Sequence, residues 1–172
     1  MGENVFVISG FPGSGSSSVA KQLAEKLNLK YFSPGQLFKG ISDGTYKSQY
    51  YAETFFQICR EKNLSIPQIG KNEKNKTINL WETEFGKSSV FHRALDELQQ
   101  RLADKGNIVL DGKLSIHMIK NPTLKVWLHA SLKERARRTS MRENISEDEA
   151  ERVLQKRQQY EKEEWKKIYN IN

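Results

Sequence analysis

Apolar residues along the chain follow two patterns, short continuous runs and longer segments with the spacing of one helix face. The short runs, each bounded by polar residues, predict strands that are buried on both faces. We predict four strands, at residues 4–9, 29–32, 108–111 and 124–130. Because helical segments separate these strands, we expect an α/β fold with three layers, a parallel sheet covered by helices on both sides.

The helices are marked by apolar residues three and four positions apart. This spacing predicts helices at about 17–27, 50–60 and 91–106. A serine followed three residues later by Glu or Gln is typical of a helix N-terminus. Three such helix starts are predicted, at Ser33, Ser131 and Ser146. The last of these helices is expected to end near residue 165.

The least regular part of the chain is residues 61–89, where no clear period is present. A polar run within it, 71–76, predicts a loop or an insertion. The total length of 172 residues fits one domain. We therefore expect a single domain that contains one irregular segment.

The charge balance is basic, with 28 Lys and Arg against 21 Asp and Glu. A basic surface favours anionic partners such as nucleotides or nucleic acid. Cys59 is the only cysteine, so no intramolecular disulfide can form, which fits a reducing compartment. No apolar run approaches the roughly 18 residues needed to cross a bilayer, and no signal peptide is evident. We expect a cytoplasmic protein that does not bind membranes.

A glycine-rich segment lies between the first predicted strand and the first predicted helix. Residues 10–18 read Gly-Phe-Pro-Gly-Ser-Gly-Ser-Ser-Ser, close to the phosphate-loop pattern G-x-x-x-x-G-K-[ST]. Backbone N–H groups of such a loop, with the N-terminus of the next helix, form a positive concave site for a β-phosphate. Ser17 is placed to offer a hydroxyl to Mg²⁺, and Ser18 to reach the α-phosphate. The alternative is a plain strand-to-helix turn that is rich in small residues.

Ser16 stands where the motif has its lysine. That lysine normally contacts the β- and γ-phosphates and neutralises developing charge, and serine brings no charge. Either other cations supply the charge, or turnover has been lost. Arginines favour the first, since Arg135, Arg138 and Arg142 share one face of a predicted helix and Arg157 lies on the next. Together these arginines can close over a triphosphate with bidentate contacts. The alternative is an ordinary charged helix whose arginines face solvent.

Three further residues are candidates at the same edge of the sheet. Asp111 ends the third predicted strand, where open α/β sheets bind ligands, and can orient Mg²⁺ through water. Lys39 and Lys113 can hold the phosphate of a second substrate. The alternatives are a turn aspartate before Gly112 and two ordinary surface lysines.

With these residues the chain resembles nucleoside monophosphate kinases, and more narrowly the cytidylate kinases of archaeal type. Those proteins carry a loop of the form G-x-x-G-S-G-T-T-T, which also lacks the lysine. Their segments A-G-x-I-F-R, V-x-E-G-R-L-A, L-K-x-W-L-x-A, R-A-x-R-x-x-x-R-E-x-I-S and I-Y-G-I-D are similar to residues 34–39, 109–115, 124–130, 135–146 and 168–172. The likeness covers nearly the whole chain except about 60–89.

The resemblance implies a P-loop kinase fold in one domain, 1–172, with a helical monophosphate-binding lobe at about 34–105 and an arginine-rich lid at about 132–157. It implies phosphoryl transfer from ATP, with Mg²⁺, to a nucleoside monophosphate, CMP or dCMP in this family. ATP would be bound by Gly10, Pro12, Gly13, Ser14, Gly15, Ser16, Ser17, Ser18 and Arg135. The catalytic residues would be Ser17, Asp111, Arg138, Arg142 and Arg157, with Mg²⁺ held by Ser17 and, through water, by Asp111. The acceptor would be bound by Ser33, Gly35, Lys39, His92, Asp96 and Lys113.

The chain departs from the family pattern in the acceptor-binding part. Two arginines that hold the monophosphate in the family are Lys39 and Lys113 here, which keeps the charge and loses the planar fork. An Ile-Asp pair that helps the family to read cytosine is Phe91-His92 here, with Asp96 one turn later.

Two other functions stay open at this point. One is a kinase for another small acceptor, and the other is a nucleotide-binding or RNA-associated protein without turnover. The basic surface permits nucleic acid, but no aromatic and basic RNA-binding motif favours it. The convergent arginines favour a kinase, and we expect a monomer that acts on small nucleotides.

Overall fold

The computed structural model describes residues 4–67, 80 and 83–169. The predicted polar run at 71–76 lies outside the described residues. Within them, the four predicted strands are present as β1 (Val5–Gly10), β2 (Lys30–Phe32), β3 (Ile108–Asp111) and β4 (Leu124–Leu128). The fourth strand ends two residues earlier than its apolar pattern indicated.

The four strands form one parallel sheet in the order β2-β3-β1-β4. The central pair is β1 and β3, and Ile8 lies opposite Asp111 in their register. The carboxyl ends of these two strands therefore meet at one edge of the sheet. This edge is where open parallel sheets bind ligands.

The described part of the chain contains eight α-helices and one 3-10 helix. They are α1 (Ser16–Lys26), α2 (Pro34–Asp43), a 3-10 helix (Thr45–Ser48), α3 (Ala52–Glu61), α4 (Glu84–Lys87), α5 (Ser89–Asp104), α6 (Ser115–Met118), α7 (Leu132–Glu143) and α8 (Glu147–Tyr169). The three predicted serine caps are confirmed, because each serine oxygen accepts the N–H of the third residue after it. The final helix runs four residues further than expected, to Tyr169.

Successive strand residues point to opposite faces of the sheet, so each face has its own apolar core. On one face Val5, Val7 and Leu110 join the main core, to which α2, α3 and α5 contribute. On the other face Ile8 and Val109 pack against α1. The predicted α/β fold with three layers is thereby confirmed.

Helices α7 and α8 form a hairpin with an apolar cluster of its own. The turn between them uses Asn144 in the left-handed region, with φ 56°. Ala136, Ala150 and Leu154 form the centre of the cluster. Among the described residues, no helix is both long enough and apolar enough to cross a membrane.

Candidate active site

The glycine-rich loop leaves β1 at the ligand-binding edge of the sheet and leads into α1. Gly13 and Gly15 have φ values of 82° and 95°, in the left-handed region that favours glycine. Gly15 is the N-cap of α1 and has no side chain to cap it. The amides of residues 16–18 lie in the first turn of α1, where helix geometry gives them no intrahelical partner. The predicted loop therefore presents free N–H groups at a helix N-terminus, as an anion site requires.

Other atoms of the loop are packed closely against α7 and β4. A Cβ on Gly13 would lie 3.0 Å from the Arg135 carbonyl oxygen, and one on Gly10 would lie 2.8 Å from the Leu128 carbonyl oxygen. The loop closes on itself, since the Ser14 N–H donates to the Phe11 carbonyl at 3.0 Å. The strand, the glycines and α7 together fix the shape of the loop.

Two of the predicted arginines contact the loop directly. Arg135 Nη1 donates to the Pro12 carbonyl at 3.2 Å, and Arg138 Nη1 donates to the Ser14 carbonyl at 3.0 Å. Arg135 is 5% exposed, and its guanidinium lies 5.3 Å from the centre of the Phe11 ring. Burial lowers the pKa of this guanidinium, which still stays charged at neutral pH. Helix α7 therefore brings positive charge to a loop that has no lysine.

The other two predicted arginines do not contact the loop in this structure. Arg142 Nε donates to Glu143 at 2.9 Å, and Arg157 Nε donates to Glu161 Oε1 at 2.9 Å. Both guanidinium groups are more than half exposed. They are paired with carboxylates on their own helices.

Lys113 lies at the other side of Glu161. Its ammonium pairs with the same carboxylate oxygen, Oε1, that Arg157 binds, and lies 6.0 Å from the centre of the Trp165 ring. Burial lowers the pKa of Lys113 to about 8, and Glu161 opposes this effect. The like charges of Arg157 and Arg135 also lower this pKa. The other candidate lysine, Lys39, is exposed on α2.

Asp111 and the cap of α2 meet at the hydroxyl of Tyr31. Asp111 is 7% exposed, and its Oδ2 accepts a hydrogen bond from the Tyr31 hydroxyl at 2.9 Å. Burial raises the pKa of Tyr31, while hydrogen bonding from Ser33 and Ser17 lowers it. The predicted Mg²⁺ ligands Ser17 and Asp111 and the predicted acceptor residue Ser33 therefore lie around one hydroxyl.

The hydroxyl of Ser17 and the carboxylate of Asp111 are groups of the kind that bind Mg²⁺. A serine hydroxyl and a carboxylate are hard oxygen ligands, and Mg²⁺ is usually held by one or two carboxylates together with substrate phosphates and waters. Ser17 and Asp111 both lie near the Tyr31 hydroxyl, and Ser17 belongs to the first turn of α1. Within the residues that the structure describes, His, Cys, Asp and Glu form no group of three or more that could hold a metal ion. The residues fit a Mg²⁺ ion that arrives with a nucleotide.

The remaining candidates lie on α5 and at the start of α2. Asp96 Oδ2 accepts a hydrogen bond from the Tyr169 hydroxyl at 2.6 Å. Burial raises the pKa of Asp96 to about 6, and the bond from Tyr169 opposes this effect. His92, one turn earlier, lies 6.4 Å from the Phe38 ring, centre to centre, while Gly35 is exposed.

Three contact residues were missed by the sequence analysis, Tyr31, Glu161 and Tyr169. Each joins a predicted site residue to a distant part of the chain. The ending of the chain resembles the family segment that contains Tyr169, and this was the only signal for any of the three. Of the arginines predicted to close over the triphosphate, Arg142 and Arg157 do not contact the loop in this structure.

A glycine loop at the end of a central parallel strand, with arginines from a separate helical hairpin on its carbonyls, defines a P-loop kinase. The comparisons with known proteins agree with this class. The chain belongs to the cytidylate kinase-like family, whose model matches residues 5–172. The family resemblance and the kinase class predicted from the sequence are confirmed.

Curated relatives match over nearly the whole chain. The chain is 31% identical to a cytidylate kinase of Methanocaldococcus jannaschii, with 98% of this chain and 80% of the relative covered. It is 29% identical to a cytidylate kinase of Methanopyrus kandleri, with 98% and 77% covered.

Solved structures support the fold. An uncharacterized protein from Eubacterium ventriosum superposes with a TM-score of 0.56 at 17% identity, covering 92% of this chain and 75% of that one. TT1252 from Thermus thermophilus superposes with a TM-score of 0.52 at 17% identity, covering 92% and 85%.

Proposed function

We propose that the protein transfers the γ-phosphoryl group of ATP to CMP or dCMP with Mg²⁺, giving ADP and the nucleoside diphosphate. The observation that carries this proposal is the phosphate loop with two α7 arginines on its carbonyls. A loop that binds phosphate through backbone amides needs cations nearby to neutralise charge during transfer, and α7 supplies them.

The donor would lie on the loop. The free amides of residues 16–18 would bind the β-phosphate, and the Ser18 hydroxyl would reach the α-phosphate. Ser17 and Asp111 would hold Mg²⁺, the latter through water. Bound there, Mg²⁺ would neutralise charge on the β- and γ-phosphate oxygens.

The acceptor would lie between α2, α5 and α8. Lys113, which is half-buried and charged at neutral pH, would bind the acceptor phosphate. Lys39 and the start of α2 at Ser33 and Gly35 would lie on the other side of that phosphate. Asp96 and His92 on α5 would contact the base. A partly buried carboxylate with a raised pKa is a common feature of binding sites.

Transfer needs no covalent intermediate with the protein. An oxygen of the acceptor phosphate attacks the γ-phosphorus, the bond from that phosphorus to the β–γ bridging oxygen breaks, and ADP leaves with that oxygen. Arg138 is already at the loop, while Arg142 and Arg157 would exchange their carboxylate partners for phosphate oxygens. Closure of the α7–α8 hairpin would also exclude water, which would otherwise hydrolyse ATP.

The test is a coupled assay of ADP release with CMP, dCMP, UMP, AMP or no acceptor. Turnover that depends on CMP or dCMP is expected. Turnover on a different acceptor alone would replace the proposed substrate, and tight ATP binding without turnover on any acceptor would indicate a binding protein. The proposed location is the cytoplasm, which suits a chain whose single cysteine is free and buried.

A further inference from the structure

The hydroxyl of Tyr31 lies where three parts of the site meet. It donates to Asp111 Oδ2 at 2.9 Å, from the second strand to the end of the third. Ser33, which caps α2, and Ser17, in the first turn of α1, lie near the same hydroxyl. One hydroxyl therefore connects the phosphate loop, the sheet and the start of the acceptor-binding lobe.

The hydrogen-bonding capacity of a tyrosine hydroxyl suits this position. It has one hydrogen to donate and lone pairs to accept. Its hydrogen goes to Asp111, so its lone pairs are left to accept from donors nearby. This arrangement fixes Oδ2 of the carboxylate and leaves Oδ1 available for a water molecule.

The same arrangement answers a requirement of Ser17. A serine that gives a lone pair to a metal ion still carries a hydrogen, which needs an acceptor when the site is closed to water. The Tyr31 oxygen is close to Ser17 and can accept that hydrogen. Without the Tyr31 hydroxyl, Asp111 Oδ2 would lose the hydrogen bond that the structure shows for it.

We propose that Tyr31 is a positioning residue, whose hydroxyl orients the Asp111 carboxylate, beside Ser17, for the metal–nucleotide complex. The inference rests on the proposed function for the identity of the bound complex. It concerns the Tyr31 hydroxyl alone, because the ring has a separate role. The ring packs against the apolar cluster under α1 and lies 5.7 Å from the Lys21 ammonium.

The experiment compares Tyr31→Phe with the matched control Tyr50→Phe. Phenylalanine keeps the Tyr31 ring and its packing and removes only the hydroxyl. Tyr50 is a neighbour whose hydroxyl donates to the Tyr31 main-chain carbonyl at 3.1 Å and whose side chain is 44% exposed. The control therefore removes a tyrosine hydroxyl from the same region without touching Asp111.

The first measurement is binding of Mn²⁺ with a non-hydrolysable ATP analogue, followed by the electron paramagnetic resonance signal of free Mn²⁺. Tyr31→Phe is expected to weaken Mn²⁺ binding about tenfold, the scale for losing a hydrogen bond to a charged group. The second measurement is steady-state kinetics. The same variant is expected to lower kcat about tenfold and to raise the Mg²⁺ concentration for half-maximal rate, with KM for CMP within about twofold.

The outcomes separate this inference from the proposed function. If the wild-type protein releases no ADP with any acceptor, the proposed function fails, and Mn²⁺ binding still decides the role of Tyr31. Equal Mn²⁺ affinity in Tyr31→Phe and Tyr50→Phe would overturn the inference, even if kinase activity is present. Thermal melting of both variants sets a temperature at which each is folded, so that a change in stability cannot produce the result.

Discussion

Asp96 provides a prediction in which stability and function move in opposite directions. Its carboxylate is partly buried between α5 and the last described residue of α8, where the Tyr169 hydroxyl donates to it. The perturbation is Asp96→Asn, which keeps the shape and an oxygen that can accept from Tyr169. It removes only the charge.

The magnitude follows from the pKa of Asp96, which burial raises from 3.8 to about 6. Between these values the folded protein keeps a proton that the unfolded chain has lost, so stability falls as pH rises through this window. Above pH 6 the whole cost is present, about 3 kcal/mol at about 1.4 kcal/mol per pKa unit. Asp96→Asn is therefore expected to raise the free energy of unfolding at pH 7.5 by up to about 3 kcal/mol. At pH 4 the gain should be below about 1 kcal/mol.

The assay is urea unfolding of both proteins at pH 4, 6 and 7.5, followed by tryptophan fluorescence. Asp104→Asn, at the exposed end of the same helix, is the control, and a change within about 0.5 kcal/mol is expected there. The coupled assay should show KM for CMP rising at least about tenfold in Asp96→Asn, as when a buried polar contact to a substrate is lost. A stability gain that is the same at all three pH values, or a loss, would refute the electrostatic argument. A gain with unchanged KM would refute the role in base binding.

Other predictions concern the loop, α7 and the acceptor lysine. Arg138→Ala should lower kcat at least about tenfold in the ADP-release assay. The control Arg137→Ala, which removes a guanidinium that does not contact the loop, should keep kcat near the wild-type value. Equal losses of kcat in the two variants would contradict a role for the loop contact. Gly13→Ala should destabilise the protein by about 1–3 kcal/mol in thermal unfolding, because a side chain at that φ is strained and would press on Arg135. An unchanged melting temperature would argue against the loop geometry. Lys113 loses its charge as pH rises through its pKa of about 8, so KM for CMP should rise between pH 7 and 9. Lys113→Arg should flatten this dependence of KM on pH, because arginine keeps its charge. If KM of the wild-type protein does not change over this pH range, Lys113 does not bind the phosphate.

The fold could be predicted because its signals are local. The strands are short apolar runs, and Ser33 caps α2 through an N–H only three residues away. The helices α4 and α6 were not predicted, since four residues are too few to show a helical period. Residues 61–89 gave no clear period, and part of that stretch lies outside the described residues.

The site could be predicted only where residue types and spacing define it. The glycines of the loop and the arginine spacing of α7 are of this kind. Tyr31 and Asp111 are 80 residues apart, and Lys113 and Glu161 are 48 apart. No periodicity or short motif records such contacts, because they depend on how the sheet and the hairpin place their side chains.

The position of the arginines also bears on the missing lysine. A lysine inside the loop would place its charge beside the phosphates at all times. Here Arg135 and Arg138 reach the loop carbonyls from α7, and α7 belongs to a hairpin with a separate apolar cluster. The charge at the loop is therefore tied to the position of the hairpin. Because the same hairpin carries Arg142 and Arg157, the proposed mechanism would need a single movement of that hairpin to bring in the remaining cations and to exclude water.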